Sequence, residues 1–142
     1  MGESIIIGCD HAAYDLKLIL VDFLEKENFN VKDAGTNSSE SVNYPDYAKI
    51  VSTAVIEKNP ERGILLCGTG LGMSMAANRN HGIRAALCND VFSAKMSRLH
   101  NDSNILVMGA RVVGDILAME IVKTWLYTGF EGGRHQSRLD LF

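Results

Sequence analysis

The chain is 142 residues long, which fits one domain with a buried core, and its 46% hydrophobic and 22% charged content is that of an ordinary globular protein. A formal net charge of −3 gives no general attraction to nucleic acid or anionic membrane, and we expect neither as a partner. No apolar run has the length of a membrane span, and the N-terminus lacks the basic region of a signal peptide.

Apolar strand-like runs alternate with helical patterns from one end of the chain to the other. The predicted strands cover residues 5–9, 29–34, 63–67, 83–88 and 105–109. The predicted helices cover residues 14–27, 45–59, 73–80, 90–99 and 115–127. Because the strands are mainly unbroken apolar runs, we expect a Rossmann-like, doubly wound α/β fold: five parallel strands with helices on both faces, in a single domain, 1–142.

Polar residues follow several of these strands. In a doubly wound sheet, ligands bind beyond the carboxyl ends of the strands, so these positions are candidates for a site. They are Asp10-His11 after the first strand, Cys67-Gly68-Thr69 after the third, Asn89-Asp90 after the fourth and Arg111 after the fifth.

The third strand runs directly into a glycine turn, Cys67-Gly-Thr-Gly-Leu-Gly-Met-Ser74. Such a strand–turn–helix junction aims several backbone N–H groups at one point beside the positive end of a helix dipole, which suits a negative charge. The dinucleotide fingerprint would place its third glycine at Met73 and normally follows the first strand, so the match is partial. Two alternatives stay open. The turn would belong to a nicotinamide or flavin site, or it would only pack a helix closely.

The three cysteines lack C-x-x-C spacing, so we expect free thiols in a reducing, cytoplasmic environment. A cysteine that ends a buried strand is usually only a small core side chain, and Cys88 fits that interpretation. Cys67 differs because oriented amides follow it, and such surroundings favour the reactive thiolate. From these residues alone, Cys67 is as consistent with catalysis as with the core.

The histidines and their neighbours have competing interpretations. Asp10 and His11 form either a helix cap beside a surface histidine or a proton-transfer or phosphate-binding pair in the crevice of Cys67. His100 closes the fourth helix, where a histidine often only offsets the helix dipole. His81 lies in a polar turn and should be exposed. None of the four histidines has metal-binding spacing with another ligand, so no metal is expected.

The C-terminal tail, residues 130–142, places Arg134 and Arg138 four residues apart, on one face of a helix. Two guanidinium groups on one face suit a phosphate, and Arg111 would be a third partner. A solvated basic chain end is the usual alternative. The preceding pair, Gly132-Gly133, favours a hinge that lets the tail reach a neighbouring subunit.

Seven motifs follow one another along almost the whole chain. They are Gly8-Cys-Asp-His11, Asp33-x-Gly-Thr36, Tyr44-Pro-Asp46, Cys67-Gly-Thr-Gly70, Arg98-x-His-Asn-Asp102, Gly109-x-Arg-Val-Val-Gly114 and Glu131-Gly-Gly-Arg-His-Gln136. Together they resemble the ribose-5-phosphate isomerase B family, within the sugar-phosphate isomerases that also include galactose-6-phosphate isomerase subunits.

The resemblance implies an aldose–ketose isomerase that interconverts ribose 5-phosphate and ribulose 5-phosphate in the pentose phosphate pathway, without metal or cofactor. By this resemblance His100, assisted by Asp10, opens the sugar ring, and Cys67 shuttles a proton between C2 and C1 through a cis-enediolate. Thr69 would move the proton between O1 and O2. The charge of the enediolate would be held by the amides of residues 68–74, which include Gly68, Gly70, Gly72 and Ser74.

The same resemblance implies a phosphate clamp of four side chains, some supplied by a second subunit: His11, Arg111, Arg134 and Arg138. Asn101 would bind a sugar hydroxyl, and Tyr44 would pack on the sugar. The smallest active unit would be a homodimer, with a tetramer as the larger alternative. We therefore expect these residues, with Asp10 and His100, to converge with Cys67 on one edge of the sheet.

Two other functions stay open from the sequence. In the first, the chemistry is the same but the substrate is a hexose 6-phosphate, such as allose or galactose 6-phosphate. Alternatively, the glycine turn would belong to a non-catalytic module that binds a phosphate ligand or a nucleotide.

Overall fold

The structure, a computed structural model, describes residues 2–142. Its strands are β1 (Ser4–Cys9), β2 (Asn30–Asp33), β3 (Gly63–Cys67), β4 (Ala85–Leu87) and β5 (Ile105–Gly109). A short 3₁₀ helix, His11–Ala13, precedes α1 (Tyr14–Lys26), and the remaining helices are α2 (Tyr44–Ile56), α3 (Leu71–Ala77), α4 (Val91–Leu99), α5 (Asp115–Tyr127) and α6 (Arg134–Leu139).

All five strands are parallel, and their order across the sheet is β2-β1-β3-β5-β4. The predicted fold class is therefore confirmed. The chain moves outward from β1 to β2 and then crosses back to β3, so the direction of winding reverses between β1 and β3. Ligands of doubly wound sheets bind at this reversal, beyond the carboxyl ends of the two strands.

The core consists of two apolar layers, one on each face of the sheet. Successive side chains of a strand point to opposite faces, so Ile64 and Leu66 of β3 pack in one layer while Leu65 and Cys67 pack in the other. The first layer also contains apolar residues of α1, α4 and α5, and the second contains those of α2 and α3. Because β3 is fully buried, the position of Cys67 is fixed by packing on both sides.

A buried lysine ties α1 to the carboxyl end of the sheet. Lys17 has no exposed side-chain surface, and its ammonium donates to Asp33 Oδ1 at 2.8 Å and to the carbonyl of Thr36. The Asp33 carboxylate also accepts from the amide of Gly35 at 2.8 Å. This network holds the chain after β2 close to Cys9, whose amide donates to the Gly35 carbonyl at 2.7 Å.

Several element boundaries differ from the predicted ones by one to three residues, and two of these differences have a clear local cause. The third helix begins at Leu71 rather than at residue 73, because Gly70 adopts a left-handed φ of 82° and lets the helix start directly after the turn. The fourth strand has only three residues, since the amide of Ile83 bonds to the carbonyl of Asn80 in a turn instead of joining the sheet. Among residues 2–142, no helix combines the length and the apolar character needed to cross a bilayer.

Candidate active site

The carboxyl ends of β1 and β3 lie side by side at the winding reversal. The amide of Asp10 donates to the carbonyl of Leu66 at 3.1 Å, which places Asp10 next to the end of the strand that carries Cys67. The Asp10 carboxylate accepts from the amide of Ala12 at 3.0 Å and so caps the 3₁₀ helix. The structure thus shows the helix cap, and it places Asp10 at the strand end beside Cys67.

The sulfur of Cys67 is met by a backbone donor from its own turn. The Gly70 amide lies 3.2 Å from Cys67 Sγ and donates a hydrogen bond to it. Such a bond stabilises a thiolate more than a neutral thiol. Cys67 is only 5% exposed, so the sulfur is screened from bulk water.

The other two cysteines have no such role. Burial raises the pKa of Cys9 and of Cys88 to about 11, so both thiols stay protonated at neutral pH. Both side chains are packed in the core. This agrees with the prediction that Cys88 is a small core side chain.

Two glycines let the turn pack against the rest of the sheet. A Cβ on Gly70 would lie 2.4 Å from Cδ1 of Leu87, in addition to the positive φ of this residue. A Cβ on Gly109, at the end of β5, would lie 2.6 Å from the backbone carbonyl of Thr69. Both positions therefore exclude larger side chains, and the turn is held in one conformation.

The first turn of α3 leaves backbone donors available beside the thiol. The Leu71 amide donates to Thr69 Oγ1 at 3.2 Å, and the Ser74 amide donates to the Gly70 carbonyl at 3.0 Å. Within the part of the chain that the structure describes, nothing accepts from the amides of Gly72 and Met73. The amides of this turn that stay free are therefore those of Gly72 and Met73, whereas the Ser74 amide is already used inside the helix.

Tyr44 lies against this turn. A Cβ on Gly72 would lie 2.5 Å from the Tyr44 ring, so glycine is needed here to let the ring approach the backbone. Tyr44 begins α2 and is 38% exposed, which leaves part of the ring free for a ligand.

His11 and Arg111 complete the groups at this edge. The amide of Val42 donates to His11 Nδ1 at 3.2 Å, so the neutral ring carries its proton on Nε2 and offers it as a donor. The amide of Arg111 donates to the carbonyl of Gly68 at 2.9 Å, and its guanidinium lies over Gly68. We call the set Asp10, His11, Cys67, Thr69 and Arg111 the thiol half-site.

His100 and Asn101 lie at the amino ends of the strands, on the side of the sheet opposite to the thiol half-site. α4 starts beyond the carboxyl end of β4 and runs back, so its last residues lie beside the start of β5. There the Asn104 carbonyl accepts from the amide of Gly63, the first residue of β3, at 3.0 Å. The four residue steps of β5, about 13 Å, separate this edge from Gly109, which pairs with Cys67.

The tail is anchored at that same edge. The amide of Glu131 donates to the carbonyl of Leu99 at 3.1 Å, and the His135 ring stacks on the His100 ring with centroids 4.2 Å apart. Arg134 and Arg138 flank His135 and are both exposed. The set His100, Asn101, Arg134 and Arg138 forms what we call the tail half-site.

One chain therefore does not bring the two half-sites together. The expectation that all these residues converge on one sheet edge is wrong within a single chain. The physical reason is the direction of the helix: in a parallel sheet, each helix returns the chain to the amino edge before the next strand begins. A residue at the end of α4 must lie far from a residue at the end of β3.

His135 is a residue that the sequence interpretation did not single out. Its side chain is 4% exposed, and burial is the largest cause of its lowered pKa, followed by the nearby charge of His100. One ligand atom of each of His100, Glu131 and His135 lies within 4.8 Å of the other two. The prediction that no histidine has metal-binding spacing with another ligand overlooked Glu131 and His135, which are four residues apart. His100 joins them only through the fold, since it lies 31 residues before Glu131. His81 is exposed, as expected.

Comparison with known proteins gives consistent matches over nearly the whole chain. The family model described as Ribose/Galactose Isomerase matches residues 5–142. The Escherichia coli (strain K12) protein named ribose-5-phosphate isomerase B is 49% identical over 138 residues, which cover 97% of this chain and 93% of that protein. These matches confirm the resemblance that the sequence motifs indicated.

Solved structures agree with this match. The Clostridium thermocellum ribose-5-phosphate isomerase B is 52% identical, with a TM-score of 0.96 over 97% of this chain and 93% of that one. The Mycoplasma genitalium ribose-5-phosphate isomerase B, solved with bound ribulose-5-phosphate, is 40% identical, with a TM-score of 0.95 over 99% and 94% of the two chains.

Proposed function

Because the chain belongs to the ribose/galactose isomerase family, we propose that it is an aldose–ketose isomerase that interconverts ribose 5-phosphate and ribulose 5-phosphate. The observation that carries this proposal is the Cys67 thiol, which accepts from the Gly70 amide at the winding reversal of the sheet. Asp10 and His11 lie on the neighbouring strand end, within the same crevice. A thiol that can act as a base, a carboxylate and a hydrogen-bond donor for a phosphate are thus available at one place.

The reaction begins with opening of the furanose ring. His100 protonates the ring oxygen O4 while Asp10 accepts the proton of the C1 hydroxyl, so that the C1–O4 bond breaks and C1 becomes an aldehyde carbon. Asn101 binds a hydroxyl of the open chain. The exposed part of the Tyr44 ring packs on the sugar.

Isomerisation then moves one proton between adjacent carbons. The Cys67 thiolate takes the proton from C2, and the electron pair of the broken C–H bond passes through the enediolate to O1. The amides of Gly72 and Met73 hold this charge; one such donor contributes on the order of 3 kcal/mol to transition-state stability in other enzymes. Thr69 passes the hydroxyl proton between O2 and O1, and Cys67 returns its proton to C1.

We further propose that a second copy of the chain completes each site. The thiol half-site lies at the carboxyl ends of the strands and the tail half-site at their amino ends. A two-fold dimer that places the thiol half-site of each subunit against the tail half-site of the other therefore has two complete sites. His11 and Arg111 of one subunit and the exposed pair Arg134 and Arg138 of the other would then clamp the phosphate.

Exposed apolar side chains support an interface beside the thiol half-site. Phe92 and Ile116 are 71% and 70% exposed, and Val112 is 57% exposed. All three lie near the starts of α4 and α5, at the carboxyl edge of the sheet. Large apolar side chains at one edge are typical of a surface that another protein covers.

The cytoplasm is the compartment that the cysteines favour. An enzyme with three free thiols suits its reducing environment.

A coupled assay for ribulose 5-phosphate formation tests the function. We expect turnover of ribose 5-phosphate by the native chain and its loss in Cys67→Ala, because this variant lacks the proposed base that takes the proton from C2. Cys88→Ala is the matched control, since Cys88 is a protonated core thiol, and its activity should stay within a few-fold of native. Unchanged turnover in Cys67→Ala would refute the assignment of the base.

Comparison of kcat/KM for ribose 5-phosphate, allose 6-phosphate and galactose 6-phosphate decides the substrate. A preference for either hexose would keep the chemistry and overturn the choice of a pentose. A nucleotide is a poorer fit to the turn, because the Gly70 amide is already engaged by the Cys67 sulfur.

A further inference from the structure

Three side chains with metal-binding atoms meet where the tail joins the end of α4. His100 and His135 stack with an angle of 14° between their ring planes. Glu131 Oε1 lies 4.0 Å from His135 Nε2, and one ligand atom of each of the three residues lies within 4.8 Å of the other two. Glu131 and His135 take part neither in the proposed proton transfers nor in the phosphate clamp. His100 is the proposed acid of ring opening.

A second observation shows that this cluster lacks a partner. His135 is 96% buried, yet its Nε2 atom has no hydrogen bond to any described residue. Buried ring nitrogens are almost always satisfied, so an unpaired one within 4.8 Å of two other ligand atoms is a candidate for metal binding. The exposed carboxylate of Glu131 leaves the cluster open to solvent on one side.

We propose that His100, Glu131 and His135 bind a divalent cation of borderline softness, with zinc as the best fit. Two imidazole nitrogens and one carboxylate oxygen form a donor set that zinc accepts, whereas calcium and magnesium prefer oxygen ligands alone. Ligand atoms on tetrahedral zinc lie about 3.3 Å apart, so Oε1 and Nε2 must approach by about 0.7 Å. The exposed Glu131 side chain can make this movement, and the two stacked rings must tilt so that a nitrogen of each points at the metal.

Zinc at this place would inhibit the enzyme. A coordinated ring nitrogen of His100 can neither give nor accept the proton of ring opening, so the metal would switch off that step. The bound metal would also crosslink the tail to α4 and fix the phosphate-binding arginines. The inhibition rests on the proposed function, but the binding of zinc does not.

Calorimetry of zinc chloride into the metal-free full chain tests the binding directly. We expect one zinc per chain, an affinity at least about tenfold weaker in His135→Gln, and a several-fold loss in Glu131→Gln. His81→Gln is the matched control, because His81 is an exposed histidine outside the cluster, and its affinity should match the native value. Circular dichroism checks that each variant is folded, and the exposed position of Glu131 keeps that variant informative if His135→Gln unfolds.

Cobalt absorption identifies the ligands, since a site of nitrogen and oxygen donors gives d–d bands without the charge-transfer band of a thiolate. Lack of binding, native affinity in both cluster variants, or a thiolate band from Cys67 would overturn the proposal. Isomerase assays add a separate readout: zinc should suppress native turnover, EDTA should restore it, and Glu131→Gln should need several-fold more zinc, in line with its weaker binding. Zinc binding without inhibition would refute the inhibitory role, while the zinc site itself would still stand. An inactive native chain would refute the proposed function alone.

Discussion

Substitution of Gly70 tests whether the turn beside Cys67 has the conformation described above. In Gly70→Ala, a left-handed φ of 82° would cost about 1–2 kcal/mol for an alanine. The new Cβ would also lie 2.4 Å from Leu87 Cδ1 and 3.1 Å from the backbone carbonyl carbon of Met108. Overpacking of this kind typically costs about 1–3 kcal/mol, so we expect a total loss of about 2–5 kcal/mol in the free energy of unfolding.

Urea unfolding measures this loss, and Gly82→Ala is the matched control. Gly82 has a similar φ of 92°, but a Cβ there would have no neighbour within 4 Å, so this variant should lose only the backbone part. We also expect kcat to fall in Gly70→Ala, because the Gly70 amide can no longer donate to the sulfur with the same geometry. If Gly70→Ala lost no more stability than Gly82→Ala, the close packing of the turn on β4 would be refuted.

Two further variants test the buried polar groups. Lys17→Met should lower the free energy of unfolding by about 2–4 kcal/mol in urea titrations, because it leaves the partly buried Asp33 carboxylate without its cation. Lys26→Met is the control: it removes only an exposed ion pair and should cost less than about 0.5 kcal/mol. The pKa of His135 is lowered by burial and by His100, so the unfolded chain binds more protons below the usual histidine pKa, and the protein should lose stability as the pH falls from 7.5 to 5.5. His135→Gln should reduce this pH dependence, and an unchanged dependence would contradict the assignment.

Local patterns were enough to predict the parallel sheet, and they single out Cys67 as the candidate base, which stays a prediction. Four of the five strands are short, mainly apolar runs, whereas β2 has one apolar residue, and the glycines around Cys67 mark a place where the backbone must pass close to its neighbours. Lys17 could not be predicted in the same way, because its burial depends on Asp33 and Thr36, which lie on another strand and loop.

The edge on which each residue lies is a property of the connections between elements. The end of α4 lies at the amino edge because the chain must return there to begin β5, so His100 cannot face Cys67 of its own chain. The contact between His100 and His135 depends on where the tail folds back, and spacing along the chain gives no information about that. These two facts separate the thiol half-site from the tail half-site.

Mixing of two inactive variants tests the shared site most directly. Cys67→Ala damages the thiol half-site and His100→Asn damages the tail half-site, so each homodimer should be inactive. Random reassortment of equal amounts makes about half of the dimers mixed, and each mixed dimer has one intact site out of two. The account predicts recovery of about a quarter of the native activity after subunit exchange. No recovery from mixed dimers that are shown to form would contradict a site built from both subunits.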